Sequence, residues 1–227
     1  MKYRATPKAR RALATILSCL AIAMVVVAVG LLGYPTYTNI RAGREQKALR
    51  TEFLTSSKLR QAYQAASGGA SGSKVTLAEG SAVTRIQIAR LGLDTVVVQG
   101  TSDQALAAGS GHYPQTPLPC TPQGNVGIAG HRTMNGHPFQ HLDQLVTGDK
   151  VILTTPFQTC TYKILASVDG HANPYVTDPN DWTVIAQTAK PMLTMSTCTP
   201  EGTARQRLVA RAQLVSATNT VPGASVK

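Results

Sequence analysis

The sequence predicts an all-β barrel or sandwich preceded by one N-terminal apolar helix. Three observations predict it. The run from Ala12 to Leu32, ALATILSCLAIAMVVVAVGLL, holds no charged residue. From about Lys74 onward, short β-branched or alternating segments are separated by turn residues. No long amphipathic helical pattern interrupts them, which argues against alternating β-α units.

The elements follow in chain order. Lys2, Arg4, Lys8, Arg10 and Arg11 precede the apolar run with no acid among them. About 20 apolar residues let a helix cross the hydrocarbon core, and basic residues before a span keep that side cytoplasmic. A basic tail over 1–11 and a transmembrane anchor over 12–33 are therefore expected. They give a single-pass protein of the cell membrane, with its N-terminus in the cytoplasm and the rest outside. A cleaved secretory signal shares the basic start, but this run exceeds the usual apolar region and no clear small-x-small cleavage site follows. Residues 34–73 read as a polar stalk bearing Arg44, Glu45, Lys47, Arg50 and Glu52, ending in the flexible linker SGGASGS, Ser67–Ser73. The barrel is expected over 74–218, with a tail over 219–227.

Within it, TRIQIARL alternates Ile86 and Ile88, and DTVVVQG is β-branched up to its glycine. Ser102 to Ala108 reads as a short helix capped by Ser102 or Asp103. NVGIAG, VILTT, CTYKILASV, MLTMSTC and RLVARAQLV complete the strands. Phe139 and Leu142 read as core contacts of a second short helix. HANPYVTDPNDW reads as a long loop suited to a groove wall, with Tyr175 or Trp182 touching peptide or Trp182 packing on the barrel.

The formal net charge is +11, but the excess crowds the membrane end and aromatic residues are few. Membrane attraction accounts for it better than a nucleic-acid partner. Cys19 lies in the span, which leaves Cys120, Cys160 and Cys198 in an oxidising space. Three is odd, so one thiol stays free or pairs between chains. A Cys120–Cys160 bridge would free Cys198; the sequence leaves that open. There is no Cys-x-x-Cys pair, and His137 and His141 lack a third ligand, so neither metal nor other cofactor is expected.

Strand alternation places the chemistry. In MLTMSTC, Leu193 and Met195 share one face, and Thr194, Ser196 and Cys198 the other. In NVGIAGH, Val126 and Ile128 face inward, and Gly127, Ala129 and His131 outward over a groove floor. In RQRLVARAQL, Leu208, Ala210, Ala212 and Leu214 face inward and Arg207 away. If these strands are neighbours, His131, Cys198 and Arg207 meet on one outer face. A thiolate is a nucleophile whose pKa a nearby cation lowers. A histidine can protonate a leaving amine, and an arginine can hold an oxyanion. Taken singly, each residue has an ordinary role: a buried small hydrophobe, a turn histidine, a solvated edge arginine.

These segments carry a resemblance. GNVGIAGHRTMNGHPFQHLDQLVTGDKV resembles the histidine segment of sortases, LTMSTC their Thr-Leu-x-Thr-Cys motif, and RQRLVARAQL their arginine strand. The match runs from Lys74 to Ala217, and its flavour is similar to the actinobacterial class E enzymes. The resemblance implies a closed eight-stranded β-barrel anchored by its N-terminal helix. It implies that Cys198 attacks the Thr-Gly carbonyl of a Leu-Pro-x-Thr-Gly-like or Leu-Ala-x-Thr-Gly-like sorting signal on surface proteins. A cell-wall precursor amine then resolves the thioacyl intermediate. It makes His131 the acid and base and Arg207, rather than Arg205, the oxyanion partner. It assigns Ala129 and Thr197 to the groove lining and Tyr113 to a segment tied to alanine preference. Met195 and Ser196 depart from commoner residues of the motif, and no Asp-Pro-aromatic lid precedes the barrel, which argues against pilus assembly. A hydrolytic cysteine peptidase and a non-catalytic wall-binding barrel are the alternatives.

Overall fold

The computed structural model describes residues 7–66 and 76–219. Lys2, Arg4, the SGGASGS linker, Lys74 and the tail from residue 220 lie outside the described residues. The chain divides into two compact units, Met1–Tyr37 and Thr38–Lys227. Helix α1 (Pro7–Thr55) supplies the first as far as Tyr37, and its remainder belongs to the second. This helix is long and apolar enough to cross a membrane, by length and composition. Its large apolar side chains, from Leu13 to Leu32, are exposed to a degree no soluble core helix shows.

In the second unit, α2 (Ser57–Ala66) is followed by β1 (Ala82–Ile88), β2 (Leu93–Gln99), α3 (Asp103–Leu106) and β3 (Ser110–His112). Then come β4 (Asn125–Gly130), β5 (Lys150–Thr154), β6 (Gln158–Ile164), β7 (Ser167–Val168) and β8 (His171–Ala172). The chain ends in β9 (Tyr175–Thr177), β10 (Met192–Thr199) and β11 (Gln206–Asn219). Eight strands close a barrel in the order β10-β4-β3-β2-β1-β5-β6-β11, with β11 pairing back onto β10. β9 adds to the β11 edge beside β6, and β7–β8 form a separate ribbon. The β2–β3 and β4–β10 pairs are parallel. This is the closed eight-stranded barrel the resemblance implied.

The faces fall as alternation requires. Ile86, Ile88, Val126, Ile128, Leu193, Met195, Leu208 and Ala210 fill the barrel interior with Phe139, Leu142 and Tyr162. The expected helix around Phe139 is a single 3-10 turn, Leu142–Gln144. Its two apolar residues are fully buried all the same. Ser102 caps α3 by accepting from Ala105 N (3.2 Å).

The segment read as a polar stalk is docked. From Thr38 on, α1 buries Ala42, Leu49 and Phe53, and α2 buries Leu59, Ala62 and Tyr63. Leu49, Phe53, Leu59 and Tyr63 pack with Val96 and Val98 of β2. Val97 faces the barrel interior, so β2 is covered on both sides. A strand buried on both faces reads as a continuous apolar run, which is why DTVVVQG shows no alternation. The stalk's charges hid single apolar residues, Ala42, Leu49 and Phe53, set seven and four apart on one helix face.

Candidate active site

The site sits on the outer face where β4, β10 and β11 adjoin. β10 is hydrogen-bonded to β4 on one side and to β11 on the other. Cys198 lies directly opposite Arg207 in the antiparallel β10–β11 register. On the other side Ser196 pairs with Ala129 in the parallel register. Two residues further on come Cys198, still in β10, and His131, the first residue after β4, and both border the same groove as that pair. The cysteine strand is thus flanked by the histidine strand and the arginine strand. Neighbouring strands run about 4.8 Å apart, so all three side chains open onto one place.

That place is a groove of about 600 Å³, lined among others by His131, Cys198, Arg207, Ala129, Thr197 and Tyr113. All six site residues read from the sequence therefore border one cavity. Cys198 is half-buried with a free thiol, because Cys120 and Cys160 are bridged. Thr197 is buried on the inward side of β10, and its hydroxyl has no partner among the described residues. Arg205 precedes β11, is exposed, and does not border the groove. Arg207 Nη1 donates to the carbonyls of Ala204 (3.3 Å) and Gln206 (3.2 Å). Among the described residues no carboxylate neutralises it, so its charge is available to the groove.

Small residues shape the floor, though not all of them are open to it. A Cβ on Gly127 would meet the Tyr113 ring at 2.8 Å, so Gly127 admits the tyrosine rather than a ligand. Tyr113 then spans the floor, its hydroxyl 3.1 Å from Ser196 Oγ. Thr116 Oγ1 fixes this arrangement by donating to Tyr113 O (2.8 Å) and accepting from Gly127 N (3.0 Å). Val184 and Ile185 cover Val209 beside it. Trp182 is 62% exposed at the groove, so the alternative in which it packs on the barrel does not hold. Tyr175 instead stacks on His171, ring centroids 5.6 Å apart.

Burial pushes the His131 imidazole below its ordinary 6.5, partly opposed by the charge of Asp103. Asp103 lines the same groove. Asp103 lies 28 positions upstream of His131, in the segment whose pattern marks a helix cap, so nothing local in the sequence pairs the two.

Arg132 was also missed. Its side chain is only 10% exposed and meets Asp143 (3.2 Å) and Glu201 (3.4 Å). It also donates to Thr199 Oγ1 (2.8 Å) and Gln140 O (3.2 Å). Arg132 thereby ties the turn that carries His131 to the end of the cysteine strand. Asp143, eleven positions along, is a carboxylate able to pair with a basic neighbour or to stay solvated, so it does not single out Arg132.

The arrangement offers a nucleophile, a proton carrier and a fixed cation along a peptide-sized trough. Several known proteins are similar to this chain. Sortase SrtE1 of Streptomyces coelicolor is 28% identical over 150 residues, covering 60% of this chain and 41% of that protein. The chain thus spans less than half the length of that relative. Among solved structures, sortase E from Streptomyces avermitilis is 31% identical with a TM-score of 0.56, over 66% of this chain and 97% of the other. A Clostridium perfringens Sortase D5 transpeptidase is 25% identical with a TM-score of 0.60, over 77% and 98%. The model of the Sortase domain matches residues 86–215, more than half of the sequence; the chain belongs to the sortase family.

Proposed function

We propose that this protein is a membrane-anchored cysteine transpeptidase that joins surface proteins to a cell-wall precursor. The observation that carries the reading is the register that sets Cys198 between His131 and Arg207 over one groove. Cys198 Sγ attacks the threonine carbonyl of a sorting signal, and Arg207 holds the oxyanion as charge develops. The C–N bond to glycine breaks, and His131 delivers its proton to the leaving amine. A thioacyl enzyme remains. An incoming amine of the wall precursor loses a proton to His131, attacks the thioester, and expels the thiolate.

The helix α1 serves as the anchor, with the basic N-terminus in the cytoplasm and the barrel outside. The signal is of the Leu-Pro-x-Thr-Gly or Leu-Ala-x-Thr-Gly type, and the similarity to sortase E proteins favours class E. Ala129, Thr197 and Tyr113 bound the threonine end of the groove. Trp182 and Met134 give its mouth apolar walls suited to an aliphatic peptide residue.

The test is mass spectrometry of the products from a peptide library carrying both signal types, with and without an added amine. A threonine–amine adduct that disappears in Cys198→Ala is expected. Hydrolysis alone, indifferent to the amine, would leave a peptidase and end the transfer reading. Surface-protein attachment that survives Cys198→Ala in cells would remove the catalytic assignment.

A further inference from the structure

We infer that the segment of α1 from Asn39 to Gln46 braces the loop that carries His131, with Asn39 a positioning residue for His131. The inference rests on the reading of His131 as the proton carrier. His131 opens a loop that leaves β4 and runs to the 3-10 turn at Leu142. At the tip of this loop Asn135 (φ 51°), Gly136 (φ 76°) and His137 (φ 36°) lie consecutively in the left-handed region. Asn and His adopt such angles more readily than other non-glycine residues, but two of them flanking a glycine make a tight tip.

The loop's own bonds close its base and one turn. Phe139 N donates to His131 O (3.2 Å), and His137 N donates to Met134 O (2.8 Å). The tip is held from outside. Gly136 N donates to Asn39 Oδ1 (2.9 Å). Ala42, only 2% exposed, packs beneath it, 3.6 Å from where a Gly136 Cβ would stand.

Asn39, Ala42, Gln46, Leu49 and Phe53 are spaced three, four, three and four apart, which is one helix face. The rest of that face is fixed to the barrel. The Gln46 amide brackets Val96 of β2, donating to its carbonyl (2.9 Å) and accepting from its N–H (2.8 Å). It also donates to Ala108 O (2.8 Å). Leu49 and Phe53 sink into the cluster with Val96 and Val98. The helix therefore acts as a strut of two turns. One end grips β2 and the other holds the tip of the loop that bears His131. Arg132 pins the base of the same loop to Thr199, so the histidine is held between two supports.

The test uses the full chain in detergent micelles. Its readouts are hydrogen exchange across residues 131–141, the His131 imidazole resonances, and kcat and KM for peptide transfer to an amine. Asn39 is partly exposed, so Asn39→Ala is expected to fold. A lost hydrogen bond of this kind changes a local equilibrium about three- to tenfold. Gly136 exchange should rise and kcat fall by that factor, with displaced His131 resonances and KM nearly constant. Asn39→Asp keeps the accepting oxygen and should restore all of them. Ala42→Leu, which wedges the tip while leaving Asn39 intact, should reproduce the loss. Unchanged exchange and resonances in Asn39→Ala, or no rescue by Asn39→Asp, would overturn the inference. If the wild-type chain transfers no peptide, exchange and resonances still decide on the strut, while the transferase reading falls separately.

Discussion

At the residue scale, two histidines show how burial sets proton affinity in this molecule. His131 is held below 6.5 by desolvation, and the negative charge of Asp103 opposes that shift. Asp103→Asn removes the negative charge that favours the imidazolium, so the His131 titration should move further down. Because Asp103 is exposed, high salt should push the wild-type titration toward that of the variant. An imidazole titration followed by NMR checks both, and an unmoved midpoint would discard the Asp103 contribution. If His131 must carry a proton to the leaving amine, the alkaline limb of the rate profile shifts to lower pH in the same variant. His112 is the stronger case. It is 1% exposed, with Nδ1 3.0 Å from Gln99 Oε1 and Nε2 3.0 Å from the Pro117 carbonyl. Burial lowers its pKa from 6.5 to about 4. The unfolded chain therefore binds this proton first as pH falls, while the folded chain refuses it. The stability His112 supports is complete above 6.5 and is lost as pH drops toward 4, amounting to about 3 kcal/mol. Urea unfolding between these pH values should show the loss, and His112→Gln should flatten that part of the profile. A pH-independent wild-type stability across that window would contradict the assignment.

At the element scale, the Cys120–Cys160 bridge secures the connection from β3 to β4 to strand β6. Cys160 is fully buried in the interior cluster, and Cys120 N donates to Tyr162 Oη (3.3 Å) beside it. The bridge closes a separation of 40 residues, for which chain-entropy arguments give about 4 kcal/mol. The Cys120→Ala/Cys160→Ala variant should melt about 8–16 °C lower at this chain size. Reductant should lower the wild type toward it and leave the variant unmoved. A reductant-insensitive wild type would mean the bridge carries no stability. The sequence exposed only part of this. Alternation in MLTMSTC and NVGIAGH reported the outer face correctly, because the inward residues of those strands are apolar while the outward ones are small or polar. Small residues were read as groove floor, yet Gly127 is covered by Tyr113; a glycine marks a close approach without saying what approaches. Arg132 and Asp103 were illegible for a different reason. Their partners come from residues 143, 199 and 201 and from residue 131, and such pairings follow from closure of the barrel rather than from any local pattern. The docked face of α1 escaped because its buried positions alternate with Arg44, Glu45, Lys47 and Arg50, which dominate the composition.

At the scale of the whole molecule, the question is where the folding unit starts along α1. The compact barrel unit begins at Thr38, partway along a helix whose earlier part carries the exposed apolar run. Glu52 Oε1 accepts from Ala82 N (3.2 Å) and Arg50 Nη2 donates to Asp94 O (3.0 Å). Tyr63 Oη donates to Val83 O (3.1 Å). With Leu49 and Phe53 buried against β2, these contacts make residues 38–66 the outer layer of the β1–β2 corner. A chain starting at Thr38 should therefore unfold in urea at the same midpoint as the full chain in detergent. A chain starting at Ser57 keeps Leu59 and Tyr63 in the cluster with Val96 and Val98 but loses the burial of one leucine and one phenylalanine, about 3–6 kcal/mol. That difference is large against the 5–15 kcal/mol that usually separates folded from unfolded domains, so the shorter chain should show a lower midpoint and bind a hydrophobic dye. Equal midpoints for the two chains would mean that the helix rests on the barrel without stabilising it. A midpoint that falls already at Thr38 would place part of the folding unit within the apolar run.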